Sequence, residues 1–126
     1  MKQETKRWLE QAEENYETMQ AMWNGHRYSF TCFMAQQTLE AILKAAIIEI
    51  KTERHPKIHD LGRLYMQSGL SIREDIRISL EKISPHFWQV RYPDLVRHKY
   101  NKERAEKTLK ETVRIYKWIK HKITKK

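Results

Sequence analysis

The sequence predicts an all-α protein: an antiparallel four-helix up-and-down bundle with one additional short helix, five helices in a single domain spanning residues 1–126. Two observations predict it. Three Gly and three Pro in 126 residues cannot punctuate a many-stranded β protein, which needs turn residues at roughly every tenth position. Apolar residues recur instead at steps of three and four through most of the chain, the period of a helix with one buried face.

The first helix is expected over Gln3 to Trp23, where Leu9, Ala12, Tyr16, Met19 and Trp23 share one face. Asn24-Gly25 ends it, because both residues tolerate the left-handed conformation that closes helices. The second runs from about Tyr28 to Lys51 and carries Phe30, Phe33, Met34, Leu39, Ile42, Ala45 and Ile48, apolar around most of its circumference, which places it at the centre. Thr52 to Ile58 contains Pro56 and reads as a loop. A short third helix follows to about Gln67, with Asp60 as its N-cap.

Ser68-Gly69 breaks the chain. Ser71 and Glu74 fit a capping box for a fourth helix in which Ile72, Ile76, Leu80, Ile83 and Phe87 keep the same step. Pro85 brings that helix to an end between residues 84 and 90, since an interior proline removes a backbone bond. Arg91-Tyr92-Pro93-Asp94 then reads as a connection, because the residue before proline avoids the α region. The last helix, about Lys102 to Thr124, alternates steps of four and three through Ala105, Leu109, Thr112, Tyr116, Ile119 and Ile123, the pattern of a bundle seam.

The formal net charge of +9 implies attraction to polyanions. It is unevenly spread: from Asn101 onward ten Lys or Arg face three Glu, a local net of +7, while residues 1–20 carry a local net of −2. No apolar run reaches the length of a membrane span or a signal peptide, so a cytoplasmic, membrane-free location is expected. Cys32 is alone, with no partner for a disulfide or a thiolate metal site, and reads as a small buried hydrophobe. His55 and His59 stand four apart, but Pro56 keeps one regular helix from presenting both to a metal. No metal and no cofactor is expected.

Three segments together resemble the HEPN family (higher eukaryotes and prokaryotes nucleotide-binding domain). Ala35-Gln36-Gln37-Thr38-Leu39-Glu40-Ala41-Ile42-Leu43-Lys44-Ala45 is similar to that family's second-helix run, Lys57-Ile58-His59-Asp60-Leu61 to its His-Asp-Leu segment, and Arg91-Tyr92-Pro93-Asp94 to the connection before its last helix. The resemblance follows order and spacing along residues 8 to 119. It implies a homodimer of helical bundles, often encoded beside a small nucleotidyltransferase acting as antitoxin, and in many members RNA cleavage. The ribonuclease members carry an Arg, four to six residues and a His, frequently with Tyr two positions on. Arg91, His98 and Tyr100 satisfy the longest version, and Tyr100 would be the residue to which the partner attaches nucleotide.

Metal-free RNA cleavage needs a base for the ribose 2′-OH, an acid for the leaving oxygen and a cation for the phosphorane; His serves the first two and an Arg fork the third. Arg91 and His98 are the candidate catalytic residues, and a symmetric dimer would supply a second His. Arg97, Lys99 and Tyr92 are candidate RNA or nucleotide contacts, because cations interleaved with aromatics suit single-stranded RNA. The alternative is a non-catalytic nucleotide- or RNA-binding partner subunit of a nucleotidyltransferase, favoured by Pro93 inside the Arg-to-His stretch. Simpler roles are open at each position: Arg91 as an ion-pair partner of Asp94, His98 as an exposed basic-stretch residue, Tyr100 as packing, and Gln36, Gln37, Glu40 and Lys44 as partners for neighbouring helices.

Overall fold

The computed structural model describes residues 1–125; of Leu95, Arg97 and His98 it describes the backbone and not the side chains. The helices are α1 (Gln3–Asn24), α2 (Tyr28–Ala46), α3 (Leu61–Gln67), α4 (Glu74–Ile83), α5 (His86–Gln89), α6 (Pro93–Lys99) and α7 (Lys102–Thr124), with no strand among the described residues. A π-helical turn, Ile47–Lys51, continues α2 to the end expected of it. The principal five helices are thus those the periodicity predicts, and α5 and α6 are additions.

The central position of α2 follows from its composition. Ala35, Leu39, Ile42, Leu43, Ala45 and Ala46 are fully buried, and α2 packs most extensively against α1 and next against α7. Ala12 and Met19 of α1 and Ile115 and Ile119 of α7 close around it, with Leu61, Leu64, Ile76 and Leu80 of α3 and α4 completing the core. Each fully buried Leu or Ile contributes about 1.5–3 kcal/mol relative to exposure. Phe30, grouped with the apolar face of α2, is 53% exposed although its neighbours Thr31 and Cys32 are fully buried, because it stands on the side of α2 shared with the half-buried Phe33, Met34 and Gln37. Among the described residues no helix is long and apolar enough to cross a membrane.

Several helix ends differ from expectation for identifiable reasons. Asp60 caps α3 as expected, accepting from the Arg63 backbone N–H at 3.1 Å. Ser71 does not cap α4, which starts three residues later without a side-chain cap. The buried Tyr65 hydroxyl instead donates to the Ser71 carbonyl and accepts from the Arg73 N–H, holding 71–73 extended. After α1 the left-handed residue is His26, with φ +60°, rather than Gly25. Gly69, at φ +85°, is where glycine is required, since a Cβ there would meet Ile50 Cγ2 at 2.6 Å. Finally, residues 91–94 are not wholly a connection: Pro93 opens α6, where its missing N–H costs nothing and its fixed φ suits the first turn.

Candidate functional site

The candidate residues fall on the broken stretch between α4 and α7. Pro85 ends α4 and leaves the four-residue α5, after which Arg91 lies in a turn and Tyr92 takes the N-cap position of α6. Arg91 is exposed, and its guanidinium lies 4.5 Å from the Phe87 ring centre. Tyr92 and Trp88 are 56% and 49% exposed and meet edge to face, 6.0 Å apart. Arg91 and His98 therefore belong to different elements, a turn and the last turn of α6. The side chains of His98 and Arg97 lie outside the described residues. Lys99 is exposed at the end of α6, and its carbonyl accepts from Arg104 at 3.0 Å.

Tyr100 turns inward. Its hydroxyl meets His86 Nδ1, and the Arg104 guanidinium stands 4.6 Å over its ring. Burial pushes the Tyr100 phenol up to about 12, although Arg104 opposes the shift. His86, only 1% exposed, has its pKa lowered to about 4 by burial and by the nearby Arg104 charge. The pair ties Tyr100, which closes α6 just before α7 begins, back to α5.

A second polar group, built around His59, shares the edge with Arg91. His59 stacks on Phe87 at 3.9 Å between ring centres and 15° between planes. Its Nδ1 lies 3.0 and 3.1 Å from the two carboxylate oxygens of Glu40. A carboxylate accepts, so Nδ1–H donates, and Nε2 has no partner among the described residues. Glu40 is buried, where it also bonds Lys44 at 3.0 Å and Gln36 at 3.1 Å. Gln36 donates further to the His59 carbonyl, and Lys44 stands 5.4 Å over the Trp8 ring. The expected bonding role of these α2 side chains toward neighbouring elements is thus realised by Gln36 and Glu40.

The signal for this network was a polar stripe, Gln36, Glu40 and Lys44, at four-residue steps on an otherwise apolar helix. Its outcome is a half-exposed imidazole oriented by a buried carboxylate, at the rim of a cavity of about 360 Å³ lined by Asp60, Ser84, Phe87 and Trp88 among others. An imidazole with Nδ1 held in this way leaves Nε2 to accept or donate a proton. A guanidinium on the same aromatic ring can hold a phosphate, and exposed Trp88 and Tyr92 offer faces for base stacking. Among the described residues no three His, Cys, Asp or Glu side chains come together as a metal site.

The family model of the HEPN domain matches residues 5–122. Two solved structures are similar over nearly their whole length. TT1696 from Thermus thermophilus has 26% identity and a TM-score of 0.82, covering 94% of this chain and 97% of its own. ST0689, an archaeal HEPN homologue, has 25% identity and a TM-score of 0.77, covering 98% and 99%. No curated protein matches the chain.

Proposed function

Because this chain belongs to the HEPN domain family, one with nucleotide-binding or ribonuclease roles, we propose that it acts on RNA as a metal-independent ribonuclease. In this reading it is the homodimeric toxin of a pair whose antitoxin is a small nucleotidyltransferase. The observation that carries the reading is the edge around Phe87, where Arg91 and the Glu40-oriented His59 share one ring beside two exposed aromatics.

In the proposed reaction a neutral imidazole takes the 2′-OH proton and the oxygen attacks phosphorus. The bond to the 5′-oxygen breaks and that oxygen receives a proton from an imidazolium, leaving a 2′,3′-cyclic phosphate. Arg91 stabilises the equatorial oxygens. His98 is the first imidazole; the second comes from the other copy across a two-fold axis, or from His59 of the same chain. Arg97, Lys99 and Tyr92 hold the strand. Attachment of nucleotide to Tyr100 requires its contact with His86 to open.

The test is incubation of the purified dimer with labelled RNA in EDTA, beside His98→Ala and His59→Ala. Discrete cleavage by the wild type that is lost in His98→Ala supports the reading, and loss in His59→Ala as well assigns the second proton. Absence of cleavage by folded wild-type protein defeats it. That outcome favours the second reading, a non-catalytic RNA- or nucleotide-binding partner subunit of a nucleotidyltransferase, for which the observation is that Pro93 opens α6 and separates Arg91 from the helix of His98.

A further inference from the structure

A different cavity, of about 320 Å³, opens between α4 and α7, with Lys82, Arg104 and Lys107 on its wall. Among the described residues none of these three cations has a carboxylate within ion-pair distance. Arg104 is held by neutral partners, donating to the Lys99 carbonyl at 3.0 Å and covering the Tyr100 ring, so its charge is fixed in place without being neutralised. The carboxylate on the cavity wall, Glu111, is already engaged by Arg114 at 2.8 Å and by the Ser79 hydroxyl at 3.0 Å. Three other arginines, Arg73, Arg77 and Arg114, do reach carboxylates.

The wall also holds a buried polar group beyond the cations. His86 is 1% exposed; Tyr100 occupies its Nδ1, and its Nε2 has no partner among the described residues. Burial keeps the ring neutral at physiological pH, so it offers a neutral polar group rather than another charge. Ile83 supplies an apolar patch on the same wall. A planar guanidinium fixed beside two exposed ammonium groups is the donor set that phosphate oxygens take. The cavity exceeds what one phosphate fills and falls in the range of small-ligand sites.

We propose that this cleft binds a small molecule bearing a diphosphate, with the anionic oxygens on Arg104, Lys82 and Lys107 and the remainder of the ligand against Ile83. The site contains neither Arg91 nor His98 and stands independently of the ribonuclease reading. Titration calorimetry on the full chain at low salt, with inorganic phosphate, inorganic diphosphate and ADP as separate probes, tests it. Diphosphate and ADP are expected to bind with one site per chain and phosphate more weakly. Equal affinity for the first two identifies the diphosphate itself as the recognised group, and tighter ADP identifies a contact with the nucleoside.

Lys82→Gln and Lys107→Gln remove exposed ammonium groups that support no packing, and each is expected to raise Kd about tenfold, the worth of one charge-assisted hydrogen bond. Lys117→Gln removes an equal charge elsewhere on α7 and is expected to leave Kd unchanged. An equal weakening by Lys117→Gln would show that the probes answer only to the net charge of the chain and would overturn the site. So would absence of binding by either diphosphate probe.

Discussion

The middle of α2 and the stretch from Ser84 to Asn101 are built in opposite ways. From Thr38 to Ile48 every residue is buried, and the one carboxylate and one ammonium there, Glu40 and Lys44, satisfy each other at 3.0 Å. From Ser84 to Asn101 the chain makes two helices of four and seven residues, and its largest apolar side chain, Trp88, is 49% exposed. The first region uses its polar groups to hold the bundle. The second leaves cations and aromatics facing outward. They meet at His59, whose ring lies on Phe87 of the broken stretch while its Nδ1 is held by Glu40 of the core. A buried carboxylate thus positions a side chain at an exposed edge without that edge needing a core of its own.

Removing the buried half of this arrangement should have the largest effect. Glu40→Ala leaves the Lys44 ammonium, only 6% exposed in its side chain, without a counter-charge, and the loss of one member of a buried pair costs about 3–5 kcal/mol. Urea denaturation is expected to show that loss. A Glu40→Met/Lys44→Met double variant should recover most of it, because burying no charge avoids the desolvation cost. Recovery that fails would mean that the bonds from Glu40 to His59 and Gln36, and not the ion pair, hold the region.

The tie within the broken stretch, His86 with Tyr100, should appear as a pH dependence. The folded pKa of His86 is depressed from 6.5 to about 4, so the unfolded chain binds more protons than the folded one between those values. Stability is then fully present above pH 6.5 and falls as pH drops toward 4. The loss is on the order of 3 kcal/mol for a shift of this size. The carboxylates whose pKa values are lowered, Glu13, Glu49, Glu74, Asp75 and Glu111, lose their contributions from about their ordinary pKa downward, so the window from 6.5 to 4.5 belongs to His86. His86→Gln should flatten the denaturation midpoint across that window; an unchanged slope would place the proton elsewhere.

The contrast between the regions is also a contrast in what the sequence displays. The ends of α2, α3 and α7 were legible because each is set by local chemistry: an apolar period that starts and stops and, for α3, an Asp60 carboxylate within reach of the next turn; the Asn101 cap that fixes the start of α7 is seen in the structure. Ser71 misled because a cap competes with any other group that can satisfy the same backbone, and the Tyr65 hydroxyl, six residues earlier, does so. Pro93 misled because a proline that ends one helix equally well begins another. In the site, the positions of Arg91 and Tyr92 on an exposed turn were readable, whereas His59 with Glu40, separated by 19 residues, becomes a pair only when α3 docks on α2. Nothing local encodes such a contact.

The smallest expected effect on stability lies at the exposed edge and gives the sharpest form of the comparison. Tyr92 is 56% exposed and takes no part in the core, so Tyr92→Ala should change stability by less than about 1 kcal/mol, the loss of its edge contact with Trp88. If this edge receives single-stranded RNA, the same substitution removes a stacking face and should weaken binding of a short labelled oligonucleotide by about 1–3 kcal/mol. Stability and binding would then move in opposite proportion to Glu40→Ala, which costs folding first. Fluorescence anisotropy on both variants, run at a pH and urea concentration where each remains folded, separates the two. A Tyr92→Ala protein that binds as the wild type does would remove the aromatic edge from the RNA reading and leave the cations Arg97 and Lys99 as its proposed contacts.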